Sequence, residues 1–368
     1  MKATGIIVEY NPLHNGHKFH ITESRHITDC DVLIAVMSGN FVQRGEMAIV
    51  DKWRRAQAAI ENGVDLVIEL PYLCCTQSAQ QFATSAVHLL NLAKVSSLVF
   101  GSESNDLPYL QDIASMSFKV DYLKEALHAG EGYAKAYGLG SAVMPANDIL
   151  GVAYLKALAT TAIKPYTIQR STHYHDNKLN HGISSATAIR KAWFEGQDIS
   201  ADTALTISRP VAYWDQFYPI LRVLFQTLDS KYIQDIFLFS EGIENHLIRQ
   251  SALFDTWSEF LNHAVTKRYT KARIQRCCLH LLNQITKKEV TSLPKLNTLR
   301  ILSFNSQGQK YLRFLQDEEV KIASRFADIP QQWRKMELKT TRLYTSLMEP
   351  KDREKLIKQE IGGALQIK

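Results

Sequence analysis

Apolar and polar positions alternate in blocks along the first hundred residues. Ile6-Ile7-Val8 reads as a buried strand, and residues 16 to 27 carry helical spacing. DVLIAVMSG (31–39) is a second strand run that ends in Ser-Gly. DKWRRAQAAIENG (51–63) predicts a helix with an Asp cap and a Gly stop. DLVIELP (65–71) is a third strand, SAQQFATSAVHLLNLAK (78–94) a helix and SSLVFGSES (96–104) a fourth strand. Strand runs continuous in apolar residues and separated by helices predict a parallel, Rossmann-like α/β sheet covered on both faces. Functional groups then belong at the C-terminal ends of the strands. His14, Ser38-Gly39-Asn40 and Gly101-Ser102 all fall there.

From about residue 205 helical periodicity dominates, in basic-aromatic stretches such as WDQFYPILRVLFQTL, HAVTKRYTKARIQRCCLHLL and WRKMELKTTRLYTSLM. The expectation is a mainly α-helical C-terminal domain. The boundary falls near 200–210, dividing residues 1–204 from 205–368. A chain of 368 residues can bury two full cores. With 45% hydrophobic and 22% charged residues it is globular rather than disordered. No apolar run approaches the ~18 residues of a membrane span. The N-terminus enters a strand without the features of a signal peptide, so a cytoplasmic location is expected. The cysteines, Cys30, Cys74, Cys75, Cys277 and Cys278, make no C-x-x-C, which points to reduced, mostly buried thiols rather than zinc or disulfides. A net charge of +6 permits a polyanionic partner without requiring one.

Within this frame, His14-Asn15-Gly16-His17 sits just past a strand, where a helix begins. Free N–H groups and the helix dipole there attract phosphate, Gly16 allows close approach, and two imidazoles can donate to charge developing at phosphorus. In GISSATAIRKAW (182–193), Ser184 and Ser185 precede a helical run that carries Arg190, a candidate second anion clamp. Taken alone, that segment is an ordinary Ser-capped helix with a surface arginine. VMSGNFVQRGEMA (36–48) either lines a substrate pocket or is a surface loop ordered by Asn40 and Gln43. Thr270 is the expected N-cap of KARIQRCCLHLL, with Ile274, Cys277, Cys278, Leu281 and Leu282 on its core face and Arg273, Arg276 and His280 on another. Lys267, Arg268 and Lys271 crowd its start. The set reads as a phosphate-binding surface or as a solvated charged face.

H-x-G-H after the first strand, with I-S-S and a following arginine later in the same domain, resembles the nucleotidyltransferase superfamily of the H-x-G-H type. VEYNPLHNGH, MSGNFVQRGEMAIVDKWRRAQAAIENGVDLVIELP, NDILGVAYLKAL and TKRYTKARIQR narrow the likeness to the tRNA(Met) cytidine acetate ligase family, over both domains. The resemblance implies an enzyme in which ATP and acetate give acetyl-adenylate and pyrophosphate. The acetyl group then passes to N4 of the wobble cytidine of elongator tRNA(Met), giving N4-acetylcytidine. It implies neither a DNA nor a membrane partner. Carried over by motif, the ATP cradle is Ile7, Val8, Glu9, Tyr10, Asn11, Pro12, Leu13, His14, Asn15, Gly16, His17, Lys18, Phe19 and His20, with His14 and His17 catalytic. Gly101, Asn147, Arg170, Ser184, Ser185 and Arg190 complete it. Lys267, Arg268, Lys271, Arg273 and Arg276 are the implied tRNA contacts. Mg2+ is expected on the phosphates rather than in a protein cage. His173 and His175 read as loop histidines without a ligand cluster. Two other activities fit parts of the pattern: a small-molecule adenylyltransferase of the same superfamily, and a non-catalytic RNA-binding protein.

Overall fold

The computed structural model describes residues 1–115, 144–170, 179, 184–208 and 211–368. Its first part runs β1 (Ala3–Val8), α1 (Asn15–Thr28), β2 (Val32–Ser38), α2 (Lys52–Glu61), β3 (Leu66–Leu70), α3 (Tyr72–Cys75), α4 (Ala79–Leu92), β4 (Ser97–Ser102), α5 (Leu107–Ser115), α6 (Ala146–Leu158), β5 (Lys164–Gln169) and α7 (Ala186–Phe194). β2 and β3 are buried at every position, as their unbroken apolar runs require. The strands lie in the order β5-β4-β1-β2-β3, all parallel. Chain progression reverses between β1 and β4. That switch point is where a doubly wound sheet opens a crevice at its C-terminal edge. The starts of α1 and α6 and the end of β5 border this crevice.

The second part is mainly helical: α8 (Trp214–Thr227), α9 (Ser230–Asp235), α10 (Ile243–Leu253), α11 (Trp257–Ala264), α12 (Lys271–Leu282) and α13 (Lys287–Thr291). Its aromatic core includes Phe217, Tyr218, Phe225, Trp257 and Phe260, and it takes in Phe41, Met47, Tyr72 and Leu73 from the first part. The chain then returns to the sheet. β6 (Leu299–Phe304) pairs antiparallel with β3. After α14 (Ser306–Asp317), β7 (Ile322–Ala323), α15 (Gln331–Thr345) and α16 (Pro350–Ile361), β8 (Leu365–Gln366) pairs with β6. The periodicity gave no sign of β6, because its apolar run is interrupted by Arg300, a buried charge that reads as surface.

Candidate active site

The site begins with a reciprocal cap. His14 is the N-cap of α1: its Nδ1 accepts from the Gly16 N–H at 3.1 Å, while His17 Nδ1 accepts from the His14 N–H at 3.2 Å. The two rings stack with centroids 3.7 Å apart, and Tyr10 meets the His17 ring edge-on at 4.9 Å. Burial lowers the His14 pKa to about 3, with the Arg170 and Arg190 charges adding to the shift. Burial, His14, Arg170 and His20 hold His17 well below the usual range as well. Both rings are therefore neutral at pH 7, and with Nδ1 accepting in each, the single ring proton sits on Nε2. The cap thus fixes two Nε2–H donors at the N-terminus of α1, the positive end of its helix dipole. His20 is turned the other way, its Nε2–H donating to the Val99 carbonyl at 3.2 Å.

Two arginines flank the pair. Arg170, just past β5, has its backbone N–H bonded to Ser102 O at 2.9 Å. Its side chain packs on Gly101, where a Cβ would stand 3.1 Å from Arg170 Cγ. A side chain at 101 would therefore push the guanidinium away from the histidines whose pKa it lowers. Arg190 comes from α7 and donates to Asn11 O at 2.7 Å and Glu46 Oε2 at 3.1 Å. Ser185 Oγ caps α7 by accepting from Ala188 N at 3.1 Å, and Ser184 Oγ donates to Asp202. Opposite, Glu103 accepts from Asn147 N and from Asn147 Nδ2 at the start of α6, and Asp148 accepts from Ser102 Oγ and the Glu103 and Ser104 N–H groups. No pattern in the sequence marks Glu103 and Asp148 as site residues. Asp148 lies within NDILGVAYLKAL and Glu103 within SSLVFGSES, but only the fold brings the β4 loop to the α6 N-terminus.

The remaining members of the 7–20 segment divide by burial. Val8, Tyr10, Leu13 and Pro12 are buried, Phe19 is exposed, and Ile7, Glu9, Asn15, Gly16, Lys18 and His20 are half-buried. Side chains of Val8 and Leu13 belong to the core, so only their backbone can face a ligand. Asn11 Oδ1 accepts from Ile49 N at 2.8 Å, and Asn15 Nδ2 donates to Ala201 O at 2.8 Å.

Residues 40–48 are no surface loop. Phe41, Val42, Met47 and Ala48 are buried. Gly45 has φ of +82° and lies so close to α12 that a Cβ would stand 2.6 Å from Arg276 N. Trp214 Nε1 donates to Gly45 O at 3.1 Å. On the crevice side, Glu9 Oε1 accepts from Gln43 N at 2.6 Å and Ser38 Oγ at 3.4 Å. Burial raises the Glu9 pKa and Glu46 adds to the rise, against the Gln43 N–H, Arg44 and Arg55, which pull it down. Arg55, fully buried, donates to the carbonyls of Glu9, Ser38, Gly39 and Val50 and so ties the ends of β1 and β2 to this loop.

A family model described as HIGH Nucleotidyl Transferase matches residues 1–360. The chain belongs to that family. It is 36% identical to the tRNA(Met) cytidine acetate ligase of Oceanobacillus iheyensis, over 99% of this chain and 100% of that one. It is 34% identical to the enzyme of the same name from Bacillus subtilis, over 99% and 97%. Among solved structures it is similar to apo Thermotoga maritima TmcAL, with a TM-score of 0.89 at 28% identity and full coverage of both chains. The same protein bound to alpha-thio ATP gives 0.85 at 29%, again with full coverage.

In this HIGH nucleotidyl transferase the basic residues of the helical part fall into two groups. Lys267, Arg268 and Lys271 are exposed before and at the start of α12, which Thr270 caps. Arg268 and Arg273 both pair with Glu241, at 3.7 and 2.9 Å. Arg276 is turned inward: burial lowers its pKa to about 10, and Nη1 donates to Gln43 O at 3.3 Å. His280, expected on the same polar face, is instead fully buried between Tyr72 and Thr76. That expectation is corrected. α12 is covered on both sides, by the helical core on one and by α3 with the 40–48 loop on the other. His173 and His175 lie outside the described residues. Among the described residues no helix is long and apolar enough to cross a membrane.

Proposed function

We propose that the chain is a cytoplasmic, ATP-dependent acetate ligase that acts on elongator tRNA(Met). It forms acetyl-adenylate and transfers the acetyl group to N4 of the wobble cytidine. The observation that carries this reading is the pair of fixed Nε2–H donors of His14 and His17, flanked by Arg170 and Arg190, at a helix start beside the sheet's switch point. Acetate and the α-phosphate repel each other, and only converging donors and cations lower that barrier. Neutral imidazoles donate without taking up a proton, so their action does not depend on titration near pH 7. The full-length likeness to ligases of this name supports the choice of acetate and tRNA(Met).

In this reading residues 1–204 handle ATP and acetate, and 205–368 carry tRNA. ATP lies across Ile7–His20, Gly101, Asn147, Arg170, Ser184, Ser185 and Arg190. The cradle offers the phosphates donors and cations, so Mg2+ would be held chiefly by the pyrophosphate oxygens and would neutralise the leaving group. Exposed Lys267, Arg268 and Lys271 meet the RNA backbone. The test is twofold. Acetate-dependent exchange of pyrophosphate into ATP measures the first half-reaction. Nucleoside mass analysis of tRNA(Met) incubated with protein, ATP and acetate measures the second. Exchange that requires another acid or a phosphorylated metabolite, or no exchange at all, rules the reading out.

A further inference from the structure

A reaction between a bound adenylate and one base of a folded RNA depends on orientation as well as affinity. Contacts at a single patch leave the RNA free to pivot about it. Lys267, Arg268 and Lys271 form one such patch, at the start of α12. The far end of the same helix offers another. α12 has 12 residues, so its ends stand about 18 Å apart. Just past its last turn lies an open groove of about 640 Å³, lined from α9, α13, α15 and the turn that follows α12. That volume has room for a nucleotide.

α15 is divided lengthwise. Met336, Glu337, Thr340, Thr341 and Tyr344 are buried. Tyr344 Oη donates to Ala48 O at 2.8 Å, and Thr341 Oγ1 accepts from Asn40 Nδ2 at 3.3 Å, which fastens this face to the 40–48 loop. Lys335, Lys339 and Arg342, spaced i, i+4 and i+7, form a row on the opposite face. Lys339 and Arg342 line the groove, and Lys335 extends the row by one turn. Lys339 is engaged, donating to Gln284 O at 3.1 Å and lying 3.7 Å from Glu289. The Lys335 and Arg342 side chains are exposed and make no hydrogen bond or ion pair among the described residues. They therefore hold nothing in the fold.

The rest of the lining is polar and aromatic. Asn283 is only 3% exposed. Its Nδ2 donates to Tyr72 Oη at 3.2 Å and to Leu279 O at 3.1 Å, while its Oδ1 has no donor among the described residues. A buried acceptor left without a donor is costly, which sets it apart from an ordinary surface amide. Tyr232, half-buried, donates from Oη to Gln284 Oε1 at 3.3 Å and adds a ring. Cations for phosphates, amides for base edges and a ring for stacking are the groups an RNA strand uses. Glu289, the acid in the lining, is already paired with Lys339 and does not cancel Arg342. Tyr72 begins α3 just past β3, so its bond to Asn283 ties the groove to the carboxyl edge of the sheet, the edge that carries the crevice.

We propose that this groove is a second RNA contact, in which Lys335, Lys339 and Arg342 bind backbone phosphates of the tRNA away from the cytidine to be acetylated. The proposal rests on the function argued above. Held at both ends of α12, the RNA can no longer pivot, and its acceptor base keeps one placement relative to the crevice.

The test is the salt dependence of tRNA(Met) binding by the full chain, measured without ATP or acetate. Two double variants are compared with the unmodified protein: Lys335→Gln with Arg342→Gln, which removes both charges, and Lys335→Arg with Arg342→Lys, which keeps them. In the first, the slope of log affinity against log salt falls by up to about 2. The KM for tRNA in acetylcytidine formation rises, and acetate-dependent pyrophosphate exchange keeps its rate. In the second, affinity and slope stay close to normal. Unchanged affinity and slope in the neutral variant would overturn the proposal and make the row a solvated helix face. Equal losses in the two variants would overturn it as well, because charge is then not what the RNA reads. So would weaker ATP binding with tRNA affinity intact, which would give the groove to a free nucleotide. An unmodified protein that binds tRNA(Met) but shows no acetate-dependent exchange defeats the proposed function while the slopes still decide the groove. One that binds no tRNA(Met) defeats both.

Discussion

At the scale of single residues, the histidine pair combines a structural and a chemical role, and substitution can separate them. Asn is a good N-cap but has no Nε2–H, so His14→Asn should hold α1 near its normal stability while acetate-dependent pyrophosphate exchange drops. His14→Ala loses the cap as well and should cost about 1 kcal/mol in thermal or urea unfolding. His17→Ala should slow exchange by about 100-fold or more, the usual effect of deleting one preorganised donor, with the melting curve still cooperative. Exchange at the normal rate in His17→Ala would remove that ring from the mechanism. The H-x-G-H spelling made the site visible in the sequence, but the reciprocal cap, and with it the tautomer, depends on ring orientation that spacing does not encode. The thiols were legible from context. Burial pushes Cys74 and Cys277 up to about 12 and holds Cys75 and Cys278 well above the usual thiol range. Iodoacetamide at neutral pH should therefore label Cys30 in the native protein and spare these four, as peptide mapping would show.

Elements were legible where one physical signal dominates and hidden where two compete. β1 to β4 are apolar runs, and their ends fell within a few residues of the expected places. β6 was missed because Arg300 sits inside it. That arginine pairs with Glu69 at 2.7 Å and Glu360 at 2.8 Å, and Lys52 binds the same two carboxylates at 2.6 and 2.8 Å. The cluster ties α2, β3, β6 and α16 together. Its two halves, Lys52 with Glu69 and Arg300 with Glu360, lie far apart in the chain, so no local pattern announces it. Glu337 of α15, which accepts the Tyr72 N–H, is a third acid near two cations. Burial and the Glu69 charge raise its pKa to about 8. A carboxyl whose folded pKa lies above its unfolded value gives stability that is full below about pH 4.5 and lost as pH rises to about 8, because the unfolded chain releases the proton first. Glu337→Gln keeps the acceptor and removes the titration. Its melting temperature relative to the unaltered protein should climb between pH 5 and 8; a constant difference across that range would show that Glu337 does not carry the proton. Removing a cation should be costlier: Lys52→Met leaves its carboxylates undercompensated and should destabilise by roughly 3–5 kcal/mol in urea unfolding.

For the molecule as a whole, the question is how two parts divide one reaction. Their separation is not clean. The helical core takes in Phe41, Met47, Tyr72 and Leu73, and Arg276 reaches the loop that holds Glu9. Basic residues that look alike in sequence therefore serve different ends. Lys267, Arg268 and Lys271 face solvent, whereas Arg276 is held at the junction. Phosphate contacts act through counterion release, each adding to the salt dependence of binding, with a slope of about −0.7 to −0.9 per contact depending on the nucleic acid. Replacing Lys267, Arg268 and Lys271 together by Gln should weaken tRNA(Met) binding at low salt and reduce the slope of log affinity against log salt by up to about 3. Pyrophosphate exchange, which needs no tRNA, is the internal control and should stay near its normal rate. Arg276→Gln should act otherwise. It removes at most one charge from the RNA surface but frees Gln43, so acetyl transfer should fall more than tRNA affinity does. If the triple variant binds tRNA with unchanged affinity and slope, the start of α12 is a solvated charged face. If Arg276→Gln loses affinity in step with transfer, Arg276 belongs to the RNA surface and the junction through Gln43 carries no part of the acceptor's placement.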